Sequence, residues 1–473
     1  MAQKDTLRQL ILNKKDLFIR VNDEVWAHPE MGFVEFESAK IIKDALASEG
    51  FEIKSGLAGI DTAFSATWGS GRPVLGFLGE YDALPALSQQ VCAQRNPVED
   101  GANGHGCGHN ALGAGTVAAV VGLKDYLSQH NLPGTIVYFG CPGEEFGTGK
   151  AFMAREGVFK DVDANLAWHP ADHNFVVGSS YLANYCVLFH FTGTAAHAAA
   201  CPHLGRSALD ACELMNVGVN YLREHIIDSA RVHYAYHDVG GPAPNVVQNT
   251  ATLFYYIRAP RAAQAAEIFE RIKKIAQGAA LMTETTVDIR VKNACSDYIV
   301  NDTLGEVMAQ CMEEIGDIPF SEEAKAFAKE MYATLTDADK STIDSALAPY
   351  LNRDEIEQAK KDILCGKALG YKNLHNCISG STDCGDASYN APTVTLNSTT
   401  AILGTPGHSW QNTAQSGSVI AHEGLLYAGE VLALTALRLL ENPELVKKAN
   451  DELNAITGGK YTCLIPADVK PEP

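Results

Sequence analysis

Two stretches share one design. "RPVLGFLGEYDALP" (72 to 85) and "GTIVYFGCPGEE" (134 to 145) each run as an apolar strand into a loop that opens on glycine and carries carboxylates. Between them "ALGAGTVAAVVGLKDYLSQHN" has helical periodicity and a small-residue face. Strand, helix, strand at this spacing reads as parallel βαβ units, whose strand C-terminal ends gather on one edge of a sheet, where the chemistry of such folds collects. An α/β fold with a mostly parallel sheet is therefore expected.

A chain of 473 residues is too long for one ordinary core, so two domains are expected. From Asp5 to Glu52 apolar residues recur at three and four positions around the interruption "HPEMGF", which predicts two scaffold helices joined by a turn. Near Leu182 the style changes. "ANYCVLFHFTGTAAHAA", "VVQNTATLFYYIRAP" and "TTVDIRVKN" alternate as strands, with helical runs between them, which predicts a β-α-β-α-β insertion. The expected division is a catalytic domain over 1–185 and 297–473, interrupted by a smaller domain over 186–296. A charged helical segment over about 321–363 reads as a solvent-exposed decoration, and "SVIAHEGLLYAGEVLALTALRLL" as a last helix.

The net charge is −20, from 37 basic against 57 acidic side chains. A field of that sign repels nucleic acid and anionic membrane surfaces, so neither is expected as a partner, and an anionic substrate would need local positive charge in its pocket. No apolar stretch reads as a membrane span, and the charged N-terminus does not read as a signal peptide. The 12 cysteines lack the dense spacing of a disulfide framework. Together these point to the cytoplasm.

"HGCGHN" (105 to 110) places Cys107 and His109 two apart, a weak metal signal alone. Company comes from Glu144 and Glu145 in "CPGEEFG" and from His169 in "NLAWHP", because all three groups end strands and so converge on one sheet edge. Thiolate, imidazole and carboxylate together suit Zn or Mn better than Mg or Ca. Neighbouring glutamates cannot both aim at one ion without strain, so one is expected to bind metal and the other to move a proton. That is the chemistry of amide or ester hydrolysis. His408, in the flexible loop "GTPGHSW", is a further candidate ligand. Two decoys fall away. "GEEFGTGK" has five residues before its Gly149–Lys150 pair and Ala151 after it, which is not a phosphate loop, and "GSGRP" lacks the rest of a dinucleotide fingerprint.

With these residues assembled, the chain resembles the M20 family of metallopeptidases and amidohydrolases, in the branch where "CGH" stands in the metal motif. "HPEMGF", "GEYDALP", "GHGCGHN", "GCPGEE", "GTAAHAA", "NVVQ", "YYIRAP" and "GTPGHSW" occur in the family's order over nearly the whole length. The resemblance implies a catalytic α/β domain with an inserted α+β, ferredoxin-like dimerisation or lid domain. It implies two divalent metal ions per chain, Mn or Zn, held by Cys107, His109, Glu145, His169 and His408, with Glu144 as the base. It further implies that His197 reaches into a partner's active site to polarise the scissile carbonyl, that Asn245 and Arg258 hold the substrate carboxylate, and that Asp82 orients a metal-ligating histidine. The implied reaction is hydrolysis of an N-acyl amino acid, p-aminobenzoyl-glutamate foremost, by a homodimer or by a heteromer with a related A-type chain. The rival readings are a dipeptidase or aminoacylase of the same family, or a weakly active member of a heteromeric hydrolase.

Overall fold

The computed structural model describes residues 2–472. Its N-terminal run forms α1 (Gln3–Asn13), α2 (Lys15–Trp26) and α3 (Phe36–Ser48), three helices where two were expected. The extra break falls at Lys14, whose ammonium is drawn between Glu49 and Asp125 at 2.5 and 2.7 Å. Periodicity alone gives no sign of those tertiary ion pairs.

Next come β1 (Glu52–Ser55), β2 (Phe64–Ser70) and β3 (Val74–Gly79), then α4 (His109–His130), β4 (Gly134–Gly140), α5 (Gly149–Arg155), β5 (Ala164–Ala171), β6 (His173–Val176) and β7 (Ser180–Tyr181). Strands β3, β4 and β5 are parallel, with β3 in the middle, so the expected βαβ unit forms with α4 as its crossover.

The chain then leaves this sheet for β8 (Ala183–Thr192), α6 (Ala208–Leu222), β9 (Arg231–Asp238), β10 (Thr250–Ala259), α7 (Ala262–Thr283) and β11 (Thr286–Cys295). These four strands make a separate antiparallel sheet in the order β11-β8-β10-β9, the ferredoxin-like β-α-β-β-α-β arrangement. The sequence reading missed β9, "RVHYAYHD". It is an edge strand with only Val232 buried, so it carries almost no apolar alternation.

Returning, the chain forms α8 (Asp302–Ile315), α9 (Glu322–Tyr332), α10 (Asp337–Ser341), α11 (Ile343–Leu347), α12 (Arg353–Asp362), β12 (Cys365–Tyr371), β13 (Cys377–Ile378), α13 (Cys384–Asn390), β14 (Thr393–Thr399), α14 (Trp410–Ser416), α15 (Val419–Glu441) and α16 (Pro443–Thr457). The large sheet runs β1-β2-β4-β3-β5-β14-β6-β12, with β14 parallel to β5 and β12 parallel to β6, and β7 pairs separately with β13.

Two expectations are corrected here. Helix α15 is long and apolar enough in composition to cross a membrane, but its apolar residues are buried inside the protein. It packs on α4 so closely that the position of a Cβ at Gly429 lies 2.9 Å from that of Ala118, and the small-residue face of α4 serves this contact. Segment 321–363 is not a solvent-exposed decoration. Ala324, Ala328, Met331 and Leu335 join the main core, while Ile343, Leu347, Leu351 and Ile356 close around Leu403, just ahead of the loop that carries His408.

Candidate metal centre

Helix α4 begins at the sheet edge with His109 as its first residue. Gly108 before it adopts φ +81°, and a Cβ there would press against Pro170 at 3.0 Å, so only glycine turns the chain this tightly between Cys107 and His109. His109 is fully buried. Its Nδ1 lies 2.8 Å from Asp82 Oδ1, at the end of β3, and Asp82 Oδ2 accepts the Glu145 amide at 2.9 Å. A single carboxylate thus orients an imidazole and a second candidate ligand. The resemblance implied that Asp82 orients a metal-ligating histidine, and the contact present is the one between Asp82 and His109 Nδ1. With Nδ1 held against Asp82, His109 turns its Nε2 inward, toward Glu80 and Glu145.

His169, near the end of β5, is arranged in the same way. Nδ1 donates to the Pro170 carbonyl at 2.7 Å, and Nε2 faces Cys107 Sγ at 3.4 Å. His408 closes the group from the opposite side. Its Nε2 is 3.4 Å from Glu145 Oε1, and its backbone is held at φ +53° by a hydrogen bond from its amide to the Gly106 carbonyl. A β-carbon residue in that conformation costs free energy and persists where a site demands it.

Ligand atoms of Cys107, His109 and His169 lie within 4.8 Å of one another, as do those of Cys107, Glu145 and His408, and those of His109, Glu144 and Glu145. The three groups share members, so Cys107 and Glu145 sit where two ions could be bridged. His109 Nε2 and Glu145 Oε1 are buried without a hydrogen-bond partner. Buried polar atoms are rarely left so, and a divalent cation is the partner that this set of thiol, imidazole and carboxylate donors fits.

Glu144 rides on the loop after β4. Burial, with Glu80, Asp383 and Glu145 adding, holds its carboxyl well above the ordinary range. Burial and nearby Glu145 also push the Cys107 thiol up. The loop is pinned from several sides. Glu35 Oε1 accepts the Gly143 amide at 2.7 Å, and Asp383 Oδ2 accepts the Lys150 amide at 2.8 Å. Gly32, from "HPEMGF", packs directly on Gly143. The N-terminal scaffold therefore buttresses the loop that carries the candidate base.

Sequence reasoning missed Glu35, Glu80, Lys150 and Asp383. Lys150, fully buried, lies 2.7 Å from Glu80 Oε1 and 2.5 Å from Asp383 Oδ1. Glu80 stands two positions before Asp82 at the same strand end, which is a usable signal. Lys150 stands out in the sequence only as part of a failed phosphate loop.

The residues expected from the small domain fall in two separate places. His197 is exposed, and its Nδ1 accepts from the Ala199 and Ala200 amides at 3.2 Å, which leaves Nε2–H as an outward donor. Asn245 lies beside it, its carbonyl accepting from the Ala198 amide at 2.9 Å. Arg258 sits near the C-terminal end of β10, whereas Asn245 lies in the turn before that strand begins, and the run from Thr250 to Arg258 alone spans about 26 Å at the rise of a strand. Its Nη1 donates to Ser381 Oγ at 3.2 Å, two residues from Asp383, while its Nε is buried and unpartnered. Within one chain, Asn245 and Arg258 do not meet on a single carboxylate. His105 is a structural histidine: fully buried against the Val25 carbonyl, it is driven down to about 4 by burial and His109, and stays neutral.

The model of peptidase family M20/M25/M40 matches residues 76–416. The chain belongs to that family. It is accordingly a hydrolase of amide bonds, with the family's two-domain fold. The chain is 44% identical to the B-type chain of p-aminobenzoyl-glutamate hydrolase from Escherichia coli (strain K12), over 96% of this chain and 95% of that protein. It is 32% identical to the A-type chain of the same hydrolase, over 55% of this chain and 61% of the other. Among solved structures, a dinuclear metal binding peptidase of the M20 family from Bacillus subtilis superimposes with a TM-score of 0.54 at 17% identity, covering 92% of this chain and 99% of that one.

Proposed function

We propose that this chain hydrolyses p-aminobenzoyl-glutamate to p-aminobenzoate and glutamate, using two divalent ions, Mn or Zn. The substrate reading leans on the likeness to the B-type chain of that hydrolase over nearly the full length of both proteins. The observation that carries the chemistry is the convergence of Cys107, His109, Glu145, His169 and His408, with Glu144 beside them and unpartnered buried ligand atoms between.

Cys107, His109, Glu145, His169 and His408 would hold the ions, which when bound would supply a polarised water acidic near neutral pH. Glu144 is placed to accept a proton on its carboxylate as general base and to return it to the departing amide nitrogen as general acid. Asp82 keeps the His109 imidazole in the tautomer that presents Nε2 to the site. Arg258 receives the glutamate carboxylate in a fork of donors, the local positive charge that a chain of net charge −20 requires.

His197 Nε2–H is suited to polarise the scissile carbonyl, and with Asn245 it would serve a partner's site. The small domain, taken as 186–296, is the proposed contact. Its edge strand β9 exposes Tyr234 and Tyr236, and neighbouring α6 exposes Val217 and Tyr221. The partner is a second copy or a related A-type chain. We place the protein in the cytoplasm, in keeping with its twelve unpaired cysteines.

The test is metal content by mass spectrometry together with aminobenzoate release, with and without added Mn or Zn. About two ions per chain with turnover are expected. Two ions without turnover on this substrate, alone or with an A-type chain, would reject the substrate and direct attention to a dipeptide panel.

A further inference from the structure

Glu80 ends β3 one residue past its last strand position and is 4% exposed. Its two carboxylate oxygens have different surroundings. Oε1 is 2.7 Å from the Lys150 ammonium. Oε2 has no hydrogen-bond partner and lies 3.2 Å from His109 Nε2, which has none either. Oε2 and Nε2 are thus two buried polar atoms 3.2 Å apart that make no hydrogen bond to each other or to any other group, an arrangement that a cation held by both would satisfy.

The charge count agrees. Glu80, Asp82, Asp383, Glu144 and Glu145 are gathered at this edge, and among the described residues Lys150 is the one ammonium paired with them. Two donors on a common ion, at the usual metal–nitrogen and metal–oxygen lengths, stand roughly 2.9 to 3.5 Å apart. The spacing of Glu80 Oε2 and His109 Nε2 falls within that span.

We infer that Glu80 is a further ligand of the metal centre, its Oε2 joining His109 Nε2 on one ion. Lys150 is its positioning residue. The ammonium fixes Oε1, so the carboxylate cannot turn both oxygens toward Lys150, and it ties the strand end to Asp383 in the "STDCGDAS" loop. The inference rests on the metal-dependent reading above, and it makes the two ion sites unequal, because only one gains a second carboxylate.

The test uses cobalt(II) as the probe on the full-length chain. Calorimetric titration of wild type should show two ions, and Glu80→Gln should weaken one of them at least tenfold, leave the other in place, and alter the visible absorption of the bound cobalt. Lys150→Met should shift the same spectrum and lower the same affinity, with Lys150→Arg restoring most of both.

A crystal structure of cobalt-loaded wild type, with anomalous peaks locating the ions, decides the matter even if the variants fail to fold. A Glu80 oxygen within about 2.5 Å of a peak supports the inference, and a distance beyond about 3.5 Å overturns it. Unchanged affinities and spectrum in folded Glu80→Gln would overturn it while the five-residue centre stands. Wild type that binds no cobalt would remove both.

Discussion

Gly32→Ala probes how the N-terminal scaffold controls chemistry that it never touches. A Cβ built at Gly32 lies 2.8 Å from Gly143 Cα, about 0.6 Å short of the 3.4 Å at which ordinary contact begins. Neither side yields cheaply. Gly143 holds φ +65° and donates its amide to buried Glu35 at 2.7 Å, while Phe33 packs on its far face and itself sits at φ +68°. The methyl must therefore push the 143–145 loop outward by a sizeable fraction of an ångström. Overpacking of this kind costs about 1–3 kcal/mol of stability. The larger effect should fall on Glu144, the next residue, since a displacement near 1 Å at a catalytic group can cost about a hundredfold in rate. Glu145 should move less, because its amide is anchored separately to Asp82. The assay is kcat, KM and metal content on the same preparation, with a thermal melt to confirm folding. The expected pattern is kcat down by one to two orders of magnitude, with metal content near wild type. A folded variant with kcat within about threefold of wild type would refute the claim that this contact sets the position of the base.

Glu144→Gln should keep its metal and lose at least about a hundredfold in kcat, measured by product release beside metal analysis; near-normal turnover would remove Glu144 as the base. Asp82→Asn cannot satisfy both His109 Nδ1–H and the Glu145 amide, so chelator competition should show metal affinity down about 10- to 100-fold. Arg258→Ala should raise KM for a substrate carrying a free carboxylate far more than for its amide, read from paired kinetics. Asp386 is fully buried, and burial, with Asp297 adding, raises its carboxyl to about 6 despite hydrogen bonds from Ser296 and Tyr461. Its folded form therefore holds a proton more tightly than the unfolded chain does, and stability falls as pH rises from about 4 through about 6, by on the order of 3 kcal/mol. Urea unfolding at several pH values should show a flatter profile for Asp386→Asn over that window, and parallel profiles would refute the assignment.

What was legible in the sequence was what local pattern encodes. Apolar strands ending in carboxylates or histidine announced a sheet edge, and Glu145 and His169 follow that pattern. Cys107 and His109, expected to end a strand as well, instead stand at the opening of helix α4, long after β3 ends at Gly79, and reach the same edge from there. Edge strand β9 escaped because an exposed strand buries almost nothing and so shows no alternation. Segment 321–363 looked dispensable for a related reason. Its short helices are rich in charge, and the few apolar residues that close around Leu403 are scattered over several of them.

The polar support of the site was hidden more deeply, since its meaning depends on burial. Lys150 reads from sequence as a surface cation or a failed phosphate motif, and Glu35 as one more acidic residue at the start of a helix. In the fold, Lys150 has no exposure and neutralises part of a carboxylate cluster, while Glu35, raised to about 8 chiefly by burial and then by Asp82, still accepts the Gly143 amide. A buried charge is tolerated only where partners surround it, so such residues cluster, and they do so here behind the candidate ligands. The candidate donors can be read from spacing and strand ends. The charges that hold those donors in place become visible only when the distance between Glu80, Lys150 and Asp383 is known, and it is on those charges that the proposed difference between the two ion sites depends.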